Sequence, residues 1–521
     1  ITTRLVGSEM CIRDRCSIMK MKSNTKSCCQ HIQWMMLTFI ALCIISCKDD
    51  DKMSVAAFDP SKPVVISDFT PKEGGAYQKI VIYGENFGAD PSLVKVNIGG
   101  KDATIISTQG TSLYCFVPSG AFSGEIKVSV GEGENVQVAT ASTSFVYQKK
   151  MVVGTLCGYR NNNDDQGWKD GPFETCAGFR NDGFLKFDPA NPNHLYVCYD
   201  GKKEIQLIDL ENRTLSSPMN NSSLPNSRLR SLDFTIDKKY MIVAVDFDGQ
   251  QERSQSVYII ERNSKGTFDN DCNTQELAAY KQCNGASIHP KNGELYFNSY
   301  DKGQLYRLDL NDYFETIKSG LAWDPKVVSN DQFQLLYTVA DPSWEYRIYI
   351  HPEGEYAYIV VRNQHYILRT DYDKANKRFV FPYVVAGARG KADWVDAVGT
   401  DARMNTPDQG VFVLNDEYVK EGRSDHYDFY FTEKGNHCVR LMTPEGIVKT
   451  YAGRGNSTSV TDNNFWGTED GDLREVARFR DPTGFTYDPG TNTFYILDTV
   501  GRKIRTISME KEETNADETN N

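Results

Sequence analysis

The chain has 521 residues, 40% of them apolar and 12% aromatic, and a formal net charge of −12. That much apolar material builds large cores and excludes a disordered polyelectrolyte, and the length alone suggests about three domains. The acidic balance leaves no cationic surplus to neutralise phosphates, which excludes nucleic acid as an expected partner.

Residues 1–18 have no leader-like character. The stretch Leu5 to Arg15 resembles translated sequencing-adapter sequence, so the native start is expected at Met19 or Met21. In residues 19–46, Lys20, Lys22 and Lys26 precede an apolar run from Trp34 to Ile45. That run is too short to cross a bilayer comfortably as a permanent helix and reads as a signal peptide. It ends in Ile44-Ile45-Ser46-Cys47, which resembles a lipobox, and Lys48-Asp49-Asp50-Asp51 follows, which resembles the surface-export signal of Bacteroides-type lipoproteins. The resemblance implies acylation of Cys47 and a place on the outer membrane facing the exterior, with the lipid anchor as the one membrane contact. Residues 47–62 are then a linker.

From residue 63 to 148 short alternating strands are broken by glycine pairs, as in a β-sandwich. Val64 to Thr70 runs into Pro71 and the pair Gly74-Gly75, and Lys79 to Tyr83 leads into Gly84-Glu85-Asn86-Phe87-Gly88. These elements resemble the IPT/TIG immunoglobulin-like family, whose modules act as spacers or contact surfaces.

Residues 149–511 repeat a phrase six times, an inner strand with a turn followed by aliphatic strands. The inner strands begin near Gly183, Ser231, Ala286, Tyr349, Gly410 and Pro482. In the last two units Ala477-Arg478-Phe479, Pro482-Thr483-Gly484 and Arg502-Lys503-Ile504-Arg505, with Gly435-Asn436-His437-Cys438-Val439-Arg440, resemble NHL repeats. The fold class expected is therefore all-β, an immunoglobulin-like sandwich followed by a six-bladed NHL-type β-propeller. The sixth unit lacks an outer strand, and Met151 to Gly158 reads like the outer strand of unit five, so the first propeller strand is expected to close the ring. Residues 512–521 form a polar tail.

Six of the thirteen cysteines lie within the first 47 residues. The other seven form no CxxC pair and no zinc-ligand spacing with histidine. Cys157 with Cys176, or Cys272 with Cys283, are candidate disulfides after export, with buried free thiols as the alternative. His289 and His351 stand before prolines where Asp188 and Asp488 stand in other units, so they occupy a repeated turn rather than a metal centre. The pairs Asp170-Gly171 and Asp470-Gly471, in register with Asp396-Ala397, are expected to hold the loop before an inner strand through side-chain to backbone bonds. No cofactor is expected; the residue types leave open only a calcium ion where Asp462, Glu469, Asp470 and Asp472 crowd together, at a spacing that matches no EF-hand.

The remaining signal is aromatic. Trp168, Trp323, Trp344, Trp394 and Trp466 all read as lying in links from an outer strand to the next inner strand, which gather on one propeller face. Rings there offer stacking surfaces to sugars, with Arg389, Asp393, Asn161 to Asp165, Asn463 and Asn464 as polar neighbours. For each tryptophan the competing role is to plug the gap between blades. The function expected is non-catalytic capture of a polysaccharide or oligosaccharide, with outer-membrane importer components as further partners. A polysaccharide lyase or glycoside hydrolase, and a protein-interaction scaffold, are the alternatives.

Overall fold

The computed structural model describes residues 56–158, 167–220, 224, 228–247, 254–280, 282–299, 303–328, 330–339, 345–455 and 464–510. The leader, Cys47, the export signal, Asn161 to Asp165, Trp344, Asp462, Asn463 and the polar tail lie outside them.

Residues 63–147 form two four-stranded sheets. One runs in the order Val65–Thr70, Lys79–Glu85, Ser112–Phe116, Thr104–Thr108, and the other Lys101–Asp102, Val94–Ile98, Ile126–Val130, Gln137–Thr140. Alternation drives the packing: Ile80 and Ile82 point into the core with Val96, Ile98, Leu113 and Val128, while Lys79 and Tyr83 stay exposed. The glycine-rich element after the second strand has a packing reason. A Cβ at Gly84 would stand 1.9 Å from the Val65 carbonyl oxygen. Asn86, in the left-handed region at φ 64, donates to the carbonyls of Asp59 and Lys62 and accepts from Asp59 N, pinning the incoming chain.

Six antiparallel sheets follow, each starting from one of the expected inner strands. These are Gly183–Asp188, Leu229–Phe234, Ala286–Ile288, Tyr346–Ile350, Pro407–Leu414 and Pro482–Asp488, which begin blades one to six. Each inner strand packs on the next, and that of blade six returns to blade one, so the sheets form a closed six-bladed propeller. Met151–Cys157 pairs antiparallel with Lys503–Met509, from Met151 opposite Met509 to Cys157 opposite Ile504, and supplies the outer strand of blade six. Both ends of the ring thereby lose their free edges.

Two helices interrupt the all-β pattern. Leu310–Lys318, capped by Asp309, lies between the third and outer strands of blade three, and Asp416–Glu421, capped by Asn415, joins the first two strands of blade five. The first helix corrects one expectation. Trp323 follows it and lies within blade three, not in a link to the next inner strand.

All seven described cysteines are buried free thiols. Cys157 hydrogen-bonds to Cys176, so that candidate pair is adjacent. Cys272 and Cys283 belong to separate cores, which sets aside their pairing. The two domains meet at the ring closure, where the Tyr147 hydroxyl donates to Glu510 and Glu510 N donates to the Lys150 carbonyl at 3.0 Å.

Candidate functional site

The histidines at the repeated turns are structural. Asp188 Oδ1 accepts from Ala190 N at 2.8 Å and Asp488 Oδ1 from Gly490 N at 2.9 Å. His289 Nδ1 accepts from Lys291 N at 3.3 Å and His351 Nδ1 from Glu353 N at 3.2 Å. An imidazole lone pair thus replaces a carboxylate oxygen at one turn position. Burial lowers the pKa of His289 and favours the neutral ring that this bond requires. His365 and His437 hook adjacent blades together, their Nδ1 atoms accepting from Thr406 N at 3.0 Å and Asp481 N at 3.1 Å. Among the described residues no group of three or more His, Cys, Asp or Glu side chains is placed to hold a metal ion.

The repeated aspartates tie their loops to the third and outer strands, and they do so mostly through side-chain partners rather than the backbone bonds expected. Asp396 accepts from Arg440 Nη2 at 2.9 Å and Thr450 N at 3.0 Å, and Asp470 from Arg505 Nη2 at 2.6 Å and Thr155 Oγ1 at 3.1 Å. In blade one a neutral version takes over: Asp170 accepts from Gln206 Nε2 at 3.2 Å and from Ser217 Oγ at 2.9 Å. Asp472 accepts from Arg474 N and Glu475 N, both at 3.0 Å, so two of the carboxylates considered for calcium, Asp470 and Asp472, already serve protein donors.

The four described tryptophans are held by separate partners. Trp168 stands edge-on to Tyr199 at 4.7 Å with Lys202 Nζ 3.6 Å from its ring centroid. Trp394 Nε1 donates to Thr450 Oγ1, and Trp323 Nε1 to the Leu277 carbonyl, each at 2.8 Å. These three rings pack into the blades. Trp466 is 39% exposed, with the Arg480 guanidinium 4.4 Å from its ring centroid, and Arg389 is exposed on the turn after Gly387.

Because successive strands alternate direction, the starts of the inner strands share one face with the turns between second and third strands. On that face five cations and five carboxylates interlock around the channel. Arg347 binds Asp408; Arg362 binds Asp182, with Glu345 at 2.9 Å and Asp408 at 3.0 Å; Lys434 joins Asp182 at 2.9 Å. Arg230 binds Asp246 and lies 3.1 Å from Asp200, while Arg228 is 2.9 Å from Asp246. Burial opposes ionisation of Asp182 and Glu345, yet the neighbouring cations prevail and hold both below the ordinary carboxylate values. Deeper in, Gln409, 2% exposed, spans three blades. Its Oε1 accepts from Leu185 N and Phe485 N at 2.9 Å each, and its Nε2 donates to the Leu185 carbonyl at 2.7 Å.

The opposite mouth is open. A bowl of about 400 Å³ is lined by Lys186, Asp233, Ser287, Tyr349 and Phe412, one from each of blades one to five. Phe187, Phe234, Ile288 and Ile350 add apolar wall. The polar groups are fixed: Lys186 Nζ lies 2.9 Å from Asp233 Oδ1, and Asp233 Oδ2 accepts from Ile288 N at 2.8 Å and Ser287 Oγ at 3.1 Å. The sequence reading missed this bowl, because its residues are ordinary inner-strand positions that become a site only when the ring closes.

The fold and this bowl define a class, an immunoglobulin-like domain joined to a six-bladed propeller with one filled and one open channel mouth. The IPT/TIG domain family matches residues 63–147. No curated protein matches the chain. Three solved structures resemble it over nearly their whole length. A protein of Bacteroides thetaiotaomicron called a putative phosphatase is 62% identical, with a TM-score of 0.81 over 88% of this chain and 99% of that one. An auxiliary nutrient binding protein of the same organism is 43% identical, with a TM-score of 0.76 over 87% of this chain and 100% of that one. Another, from Bacteroides ovatus, is 32% identical, with a TM-score of 0.61 over 88% and 100%. The chain belongs to the family these Bacteroides proteins form.

Proposed function

We propose that the protein is a non-catalytic nutrient-binding lipoprotein of the outer cell surface, anchored through Cys47, that captures a glycan for a polysaccharide-uptake system. Its propeller is of NHL type. The observation that carries the reading is the bowl, a concave apolar wall with a few converging, pre-oriented polar groups. Two relatives called auxiliary nutrient binding proteins support it. The name of the 62% identical relative raises phosphatase chemistry. Among the described residues every cysteine is buried, His289 and His351 accept from backbone N–H groups, and no group of three or more His, Cys, Asp or Glu side chains is placed to hold a metal ion.

The test is affinity electrophoresis of the mature protein with Cys47→Ala on a panel of polysaccharides, together with an assay for released reducing ends and unsaturated products. Retardation without product is expected, weakened by Lys186→Ala and by Ile236→Asp, an exposed residue that also lines the bowl. Product release would replace binding with hydrolysis or lysis, and retardation by none of the polymers would remove the glycan.

A further inference from the structure

On the face that carries the bowl, a separate cleft of about 460 Å³ opens between blades five and six. It extends outward to Met151, the first residue of the closing strand. Three tyrosines line it: Tyr430 on the second strand of blade five, Tyr451 on its outer strand, and Tyr487 on the inner strand of blade six.

Their rings are held by a common aromatic partner. Phe494 lies 4.9 Å from Tyr430, 5.8 Å from Tyr451 and 4.8 Å from Tyr487, and Tyr430 meets Tyr451 edge to face at 4.9 Å. Tyr487 donates to Asn492 Oδ1 at 3.0 Å. The hydroxyls of Tyr430 and Tyr451 bond to no described residue, although both rings are half-buried. Exposed Asp416 and Glu417, at the start of the blade-five helix, stand at the rim, Glu417 paired with Lys420 Nζ at 2.7 Å. No lysine or arginine is among the lining residues.

We propose that this cleft is a second saccharide-binding site, selective for neutral sugars, which holds a further stretch of the glycan taken by the bowl. A pyranose ring has a C–H face that packs on aromatic rings and an edge of hydroxyls that donate and accept. The tyrosine rings meet the first requirement, and their unpartnered hydroxyls with the rim carboxylates meet the second. Carboxylates accept from sugar hydroxyls but repel uronates and sulfates; Lys420 offsets Glu417, and Asp416 carries the repulsion. The proposal rests on the nutrient-binding reading and adds to it a place and a charge class.

The experiment uses the full mature protein with Cys47→Ala against laminarin, mannan, soluble starch and arabinan as neutral polymers, and polygalacturonate, alginate and chondroitin sulfate as anionic ones. A neutral polymer is expected to retard the protein. The double variant Tyr430→Phe/Tyr451→Phe, which keeps the rings and the fold, is expected to bind it about tenfold more weakly at an unchanged melting temperature. Asp416→Lys, on the exposed rim, is expected to lift the exclusion of anionic polymers. A double variant that binds like the parent overturns the cleft and leaves the bowl reading standing, as does retardation by anionic polymers alone. If none of the seven polymers retards the parent protein, both readings fall.

Discussion

The two mouths of the propeller channel solve one problem in opposite ways. Inner strands of a propeller present backbone edges and side chains to a shared axis, and each such group needs a partner or water. At one mouth the solution is charge: Arg347, Arg362, Asp182, Glu345 and Asp408 fill the axis with one another. At the other the side chains are mainly apolar, the one ion pair lies at the wall, and a bowl remains. A filled mouth serves the ring, whereas an open one is free to serve a ligand.

Cutting the charged lattice should give the largest effect. Asp408→Ala leaves Arg347 and Arg362 buried without their shared carboxylate, and a loss of about 3–5 kcal/mol in urea unfolding is expected. Glycan retardation by whatever protein remains folded should be unchanged if the mouths are independent. Gln409→Leu strips partners from Leu185 N–H, the Leu185 carbonyl and Phe485 N–H, and should cost about 3 kcal/mol.

A pH series sharpens the same contrast within the blades. Burial outweighs the Arg505 charge and pushes the Asp498 carboxyl up to about 7 from an ordinary 3.8. The folded state therefore holds this proton more tightly than the unfolded chain. Its stabilising contribution is complete below about pH 4 and is lost as pH rises through 7. Asp498→Asn should flatten that part of the stability profile, measured as melting temperature between pH 4 and 8. A profile of unchanged slope would remove the assignment.

Smaller effects are expected at a repeated turn on one face and at an exposed ring on the other. His289→Asp keeps the acceptor used at Asp188 and Asp488 but buries a carboxylate that lacks the Arg262 partner of Asp188 and gives up the contact with the Gly354 carbonyl, so it should cost about 1–3 kcal/mol. Trp466→Ala should alter stability by less than about 0.5 kcal/mol and leave glycan retardation intact. A loss of binding in that variant would move the ligand to the face with the filled mouth.

The architecture was legible because repeats write their pattern six times. The positions of Asp188 and His289 in one turn, and the closing role of Met151 to Cys157, follow from register alone. The two helices were hidden because each is an insertion that no other unit shares. The site was legible least of all. Tryptophan in a link reads the same whether its ring faces solvent or, like Trp168, sits on Tyr199 with a lysine above it. The bowl and the tyrosine cleft draw on residues hundreds of positions apart, and those residues share no local motif.

The meeting of the two domains at the ring closure sets a load path. Tension between the first domain and the propeller enters at Met151, the end of the very strand that locks the ring. That strand runs antiparallel to its neighbour, so its ladder is loaded from one end, and the Glu510 bonds to Tyr147 and Lys150 stand first in line. A pull strong enough to break them would begin to open the propeller at blade six, beside the tyrosine cleft, and would couple mechanical force to the shape of that cleft.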